Sequence, residues 1–343
     1  VFFGKIFSKK TLRYFVVNLF SAIFLPGKIR NSKQTPTMKK LLISLISLSL
    51  CAFTGCKEQA SNTNEMTTEE YKKEIETWRA ERLENLKSKD GWLNLAGLLW
   101  LEEGKNTLGS HPENTIQFPD NAPAHVGTLF MKDDNLTFIA HENLQVYNDS
   151  TPVDKIDLRS DASGEATELT HEPFSWFIIK RGEKHAIRLR DYSSPLLTLI
   201  DSLPAFPIDP QWRIEATFEP FEEPQNLEVP NVLGETELSP CYGKLVFRIN
   251  DTTYRLMPMG NPEQGLFVVF ADGTSAKETY GAGRFLSVPA PDKTGRTVLD
   301  FNKAYNPPCA FTEFATCPLP PEGNRLDVRI TAGEKTGEHI GHH

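Results

Sequence analysis

Residues 244–259 read KLVFRINDTTYRLMPM, and the fold class follows from how this stretch is read. Two β-type apolar runs flank Asn250-Asp251, residues suited to a tight turn, so the segment is expected to form a β-hairpin. Downstream, GLFVVF (265–270) is a continuous apolar run ending in ADGTS, as a buried strand would be. TVLDFN (297–302) and RLDVRI (325–330) are read as two further strands. Upstream, GTLFMKDDNLTFIAHENLQVY (127–147) is broken by KDDN and HEN, and FSWFIIKRGEKHAIRLRD (174–191) turns at RGEK. Both suit antiparallel hairpins. Prolines 204, 207, 210 and 220 frame a strand near Trp212–Phe218. GWLNLAGLLWLEEG (91–104) is apolar enough for a helix, but glycines 91, 97 and 104 favour strand and turn.

One helix precedes these strands. Thr67 followed by Glu70 forms a capping box, and Tyr71, Ile75, Trp78, Leu83 and Leu86 recur at helical spacing until Gly91. That stripe is read as a docking face. The expected fold is mostly β: antiparallel sheets forming two sandwich- or barrel-like subdomains, preceded by one amphipathic helix. The boundaries are the helix at 67–90, a first β subdomain at 91–225 and a second at 226–339.

Charge is unevenly distributed. Residues 1–55 hold nine Lys or Arg and no Asp or Glu, which leaves 28 basic against 45 acidic residues in the remainder. An acidic body of this kind argues against nucleic acid as a partner. Met38, Lys39 and Lys40 precede the apolar run LLISLISLSLCAF and then TGC at Cys56, the order of a secretory signal. The run is too short to span a bilayer. FTGC resembles a bacterial lipoprotein box, which implies a signal peptide over 38–55, lipidation of Cys56 and a tether over 56–66. The expected location is exported and lipid-anchored at the outer membrane, on its periplasmic or surface face. Residues 1–37 are read as an upstream extension with no part in the fold.

The segment TYGAGRFLSVPAPDKTGRTVLDFNKAYNPPCAFTEFATCPLPPEGNRLDVRITAGEK (279–335), with GWLNLAGLLWLEEG and IRLRDYSSP (187–195), resembles the bacterial and archaeal family known as domain of unknown function 1684. The resemblance identifies relatives and implies no established activity.

The residues themselves suggest a site. On a strand through 297–302, Asp300 and Asn302 share the face opposite Leu299 and Phe301. The prolines of AYNPP stiffen a loop that holds Tyr305, Asn306 and Cys309 over the strand end. Arg255, Asp272, Thr274, Tyr280 and Arg284 add donors and acceptors, with Gly281 and Gly283 permitting close approach. A polar pocket binding a small polar or anionic molecule is the first expectation. One alternative is a hydrolase using Asp300 as base or Cys309 as nucleophile, with Arg284 stabilising charge. Another is a surface module that binds a protein or glycan. Arg255–Asp272 and Arg284–Asp300 could instead be ion pairs that brace loops. Cys309 and Cys317 are open to three fates: a disulfide, buried thiols, or a nucleophile or metal ligand that one of histidines 111, 125, 141, 171 or 185 would approach. No cofactor and no metal site are expected.

Overall fold

The computed structural model describes residues 66–341. The signal peptide, Cys51, the lipidation site Cys56, the upstream extension and nearly all of the tether lie outside the described residues.

Helix α1 (Thr68–Lys87) starts where the capping box places it. Thr67 accepts from the Glu70 amide, and the Glu70 side chain reaches back to the Thr67 amide. Gly91 follows the helix because a Cβ there would strike the Leu86 carbonyl oxygen at 2.1 Å.

The first β body comprises β1 (Leu95–Trp100), β2 (Gly104–Gly109), β3 (Ile116–Gln117), β4 (Gly127–Lys132), β5 (Asn135–Ala140), β6 (Val146–Asn148), β7 (Thr151–Val153), β8 (Lys155–Leu158), β9 (Leu169–His171), β10 (Phe174–Arg181) and β11 (Lys184–Asp191). They form two sheets, in the orders β1-β11-β10-β9-β6-β7 and β3-β2-β4-β5-β8. One core lies between the sheets, with Trp176, Ile178, Ile187 and Leu189 from the first meeting Leu108, Leu129 and Phe138 from the second. A short helix α2 (Leu196–Leu199) leads toward the second body.

The second body contains β12 (Arg213–Pro230), β13 (Thr236–Ile249), β14 (Thr252–Leu256), β15 (Leu266–Phe270), β16 (Arg284–Val288) and β17 (Arg296–Asp300). A four-stranded sheet, β14-β13-β12-β17, and the β15-β16 pair enclose Phe218, Leu245, Phe247, Phe270, Leu286, Leu299 and Phe301. Strand β12 passes through residue 225, with a register shift between Pro220 and Gln225, and Ala216 and Phe218 near its start belong to the second core.

The hairpins follow the sequence reading, and their turns explain why. Asp133, Gly182 and Asn250 each take positive φ, a conformation that Asp, Gly and Asn adopt at low cost. Two strand expectations are corrected. RLDVRI forms only an isolated bridge at Arg325, since the carbonyls of Val328 and Ile330 are engaged by Gly273 and Arg284 instead of a neighbouring strand. TVLDFN stops at Asp300, which accepts from the Asn302 amide and caps a 3-10 turn at Phe301–Lys303. Asp300 and Asn302 are therefore not pleat neighbours.

Candidate functional site

The polar residues of the second body gather into two buried networks that hold α1 in place. In the first, the Tyr71 hydroxyl donates to Asp300 Oδ1 at 2.8 Å and accepts from Asn302 Nδ2 at 2.9 Å. Asn302 also donates to the Asp209 carbonyl and accepts from the Asp209 amide. Burial, and then the hydrogen bond to Asp300, push the Tyr71 pKa well above the ordinary tyrosine value.

In the second network, Arg82 of α1 pairs with Glu334 at 3.2 Å and donates to the Asn306 carbonyl at 2.9 Å. Glu334 in turn accepts from the Asn306 amide, and the Arg82 guanidinium lies 4.7 Å over the Tyr305 ring. Arg284 sits behind this group. Its Nη2 meets Asp272 Oδ2 at 2.5 Å, and its remaining bonds go to the carbonyls of Ile330, Ala332 and Glu334. Burial lowers the Arg284 pKa, and Asp272 opposes that shift.

Asp272 also accepts from the Thr274 amide and hydroxyl, while Tyr280 donates to the Cys309 carbonyl at 3.2 Å. Arg284 pairs with Asp272 and Asp300 with Tyr71, so neither of the ion pairs read from the sequence forms. Arg255 is exposed on the edge strand β14. Cys309 and Cys317 are joined as a disulfide, which leaves no thiol at 309. Histidines 111, 125 and 141 lie in a row in the first body, His111 tilted against His125 at 5.1 Å and His125 stacked on His141 at 5.5 Å between ring centres. Asp300, Cys309 and Arg284 thus enter three separate arrangements.

A second constellation lies in the first body. Residues directly opposed across antiparallel strands project to the same face. Arg188 of β11 is opposed by Leu98 of β1 and Phe177 of β10, while Ile187 and Leu189 point the other way into the core. The same outer face carries Arg190, Arg181 and Lys184. Arg190 donates to the Gly91 carbonyl and to Asn94 Oδ1, Arg181 pairs with Asp161 at 2.8 Å, and Lys184 reaches Glu235 at 3.7 Å. Arg188 differs from all three. It is 5% exposed, and its Nε and Nη2 have no hydrogen-bond partner among the described residues. Its guanidinium stands 5.6 Å from the Trp92 ring. Burial, helped by the charges of Arg181 and Arg190, pulls its pKa down to about 9. At neutral pH this is a buried cation that Asp161 offsets only from a distance, with no ion-pair partner among the described residues, facing half-buried Trp92, Leu98 and Phe177.

Sequence reasoning singled out neither Arg188 nor the helix partners Tyr71 and Arg82 as functional groups. The available signal was the alternation Ile187-Arg188-Leu189-Arg190, which sets two arginines on one face of a strand whose other face is apolar.

Comparison with known proteins places residues 200–335 in a family model described as "Protein of unknown function (DUF1684)". Among solved structures, an uncharacterized protein from gene locus rrnAC0354 of Haloarcula marismortui, determined by solution NMR, is 33% identical. The match covers 40% of this chain and 78% of that one, with a TM-score of 0.34. No curated protein matches.

Proposed function

We propose, for a chain whose residues 200–335 match the family of proteins of unknown function DUF1684, that it is an exported, lipid-anchored protein which binds a small anionic molecule at Arg188. The single observation that carries this reading is the buried guanidinium whose Nε and Nη2 lack acceptors. A buried charge without a partner costs several kcal/mol, on the order of the penalty for desolvating one ion in a protein interior. A fold keeps such a group where a ligand supplies the missing charge. Arg190 and Arg181 add positive charge nearby, which Asp161, the ion-pair partner of Arg181, partly offsets.

The polar residues of the second body serve this reading indirectly. They fix α1, the element that follows the tether, to the body through Tyr71 and Arg82. Lipidation at Cys56 then sets the body at the membrane, with the outer membrane as the proposed site.

Thermal melts in the presence of small organic and inorganic anions test the site. A melting temperature raised by at least one anion but not by chloride, and insensitive to that anion in Arg188→Leu, is the expected result. An equal rise in the variant would sink the assignment.

A second reading, a module that binds another protein, is favoured by the turn of the β12–β13 hairpin and the adjoining part of β13. Val232, Leu233, Leu238 and Tyr242 are exposed there, Leu238 by 63%. Photo-crosslinking from position 238 in intact cells tests it: one discrete adduct supports a partner, and none removes this reading.

A further inference from the structure

We infer that the ligand at Arg188 is a carboxylate carried on an apolar body, such as a medium-chain or aromatic acid. This rests on the reading of Arg188 as an anion site and adds the ligand's chemical class.

The two unpartnered nitrogens, Nε and Nη2, are those whose N–H bonds leave the guanidinium along one edge, side by side. That edge is a two-pronged donor matched to the two oxygens of a carboxylate. A phosphate or sulfate would bring further oxygens, and each needs a donor of its own or loses hydration without compensation. The cationic donors on this face are already engaged, Arg190 by Gly91 and Asn94, Arg181 by Asp161 and Lys184 by Glu235. Leu98 and Phe177 flank Arg188 in register on the two neighbouring strands, and Trp92 stands over the guanidinium. The next row along the same face is Ala186, between Trp100 and Ile179. Rows on one face repeat about every 7 Å, but Ala186 and Ile179 are 0% and 1% exposed, so the apolar surface left for a short alkyl chain or a ring is that of the half-buried side chains nearer Arg188. Trp92, Leu98, Trp100 and Phe177 are each only half-buried and retain apolar surface that such a body would cover.

Other charged groups do not supply the missing acceptor. Asp161 is taken by Arg181, and Glu235 lies beside Lys184. Glu237, whose carboxyl pKa is raised by burial, lies toward Arg181.

Isothermal titration of the full chain with octanoate, acetate, inorganic phosphate and 1-octanol tests the inference. Octanoate is expected to bind at least tenfold more tightly than acetate or phosphate, and 1-octanol is expected not to match it. Arg188→Lys keeps the charge but loses the two-pronged edge, and it should lose octanoate binding. Leu98→Ser should weaken octanoate several-fold and leave acetate unchanged, which keeps the test open if substitutions at 188 impair folding. Phosphate or acetate binding as tightly as octanoate would overturn the ligand class and leave the anion site standing. Equal binding of 1-octanol would overturn the role of the carboxylate. No binding by any of the four would remove both the inference and the site.

Discussion

Arg284 and Asp272 close an ion pair at 2.5 Å with side-chain exposures of 1% and 0%, and it is spent on holding loops together. Removing one partner of such a pair leaves a buried charge uncompensated, at a cost of about 3–5 kcal/mol. Arg284→Met is therefore expected to lower stability in urea melts by that order. The three carbonyls that Arg284 serves would also lose a donor. A double variant, Arg284→Met with Asp272→Leu, should recover part of the loss because no isolated carboxylate remains. A single variant within about 1 kcal/mol of wild type, well below the cost of an unpaired buried charge, would show that the pair is not structural.

Tyr71 ties α1 to the second body through one hydroxyl that both donates and accepts. Tyr71→Phe deletes both bonds and leaves Asn302 Nδ2 with only the Asp209 carbonyl, at an expected cost of about 1–2 kcal/mol. Limited proteolysis should then cut within residues 68–87 sooner than in wild type. The pH dependence has a definite sign. The folded-state pKa of Tyr71 is raised, so its contribution is complete below the unfolded value of about 10 and is lost as pH rises beyond it. The Phe variant should lack that part of the alkaline loss, and an identical alkaline profile would refute the linkage.

The hairpins were legible because turn chemistry is local. Asn250, Gly182 and Asp133 announce positive φ between alternating runs without reference to anything distant. Helix α1 was legible for the same reason, through Thr67 and Glu70. Residues 325–330 were not, since the fate of their carbonyls depends on Arg284, more than forty residues away. Asn302 was misplaced because Asp300 can continue a strand or cap a turn, and the choice is made with Tyr71 across the chain. Alternation does place Arg188 and Arg190 on one face. It cannot distinguish a wet face from a covered one, and that difference separates a surface cation from a buried donor.

Cys309 and Cys317 bracket a small loop that lines the cluster beneath α1, together with Phe311 and Ala315. Chain entropy assigns a disulfide across so short a loop about 2.5 kcal/mol. Reduction should lower the melting temperature accordingly, and Cys309→Ala with Cys317→Ala should reproduce the reduced protein. Of the remaining thiols, Cys241 is buried, and burial raises its pKa. Alkylation of the folded protein should therefore spare it, and unfolding without reductant should expose it. Rapid labelling of Cys309 in the native protein would contradict the bond.

Arg188→Leu reverses the usual sign of a core substitution. With its folded-state pKa held at about 9, Arg188 burdens the fold throughout the range below that value. The burden is relieved only as pH rises from there toward the unfolded value, because the unfolded chain keeps the proton longer. Leucine of similar bulk among Leu98, Phe177 and Trp92 needs no counter-charge, so at pH 7 the variant is expected to be more stable by about 1–3 kcal/mol. Ligand should erase the difference. At a concentration 100 times its dissociation constant, an anion that binds only the folded wild type adds about 2.7 kcal/mol and adds nothing to the variant. Paired thermal melts with and without octanoate read both effects in one experiment. If Arg188→Leu is instead less stable than wild type without ligand, Arg188 is an ordinary structural arginine and the anion site has no basis.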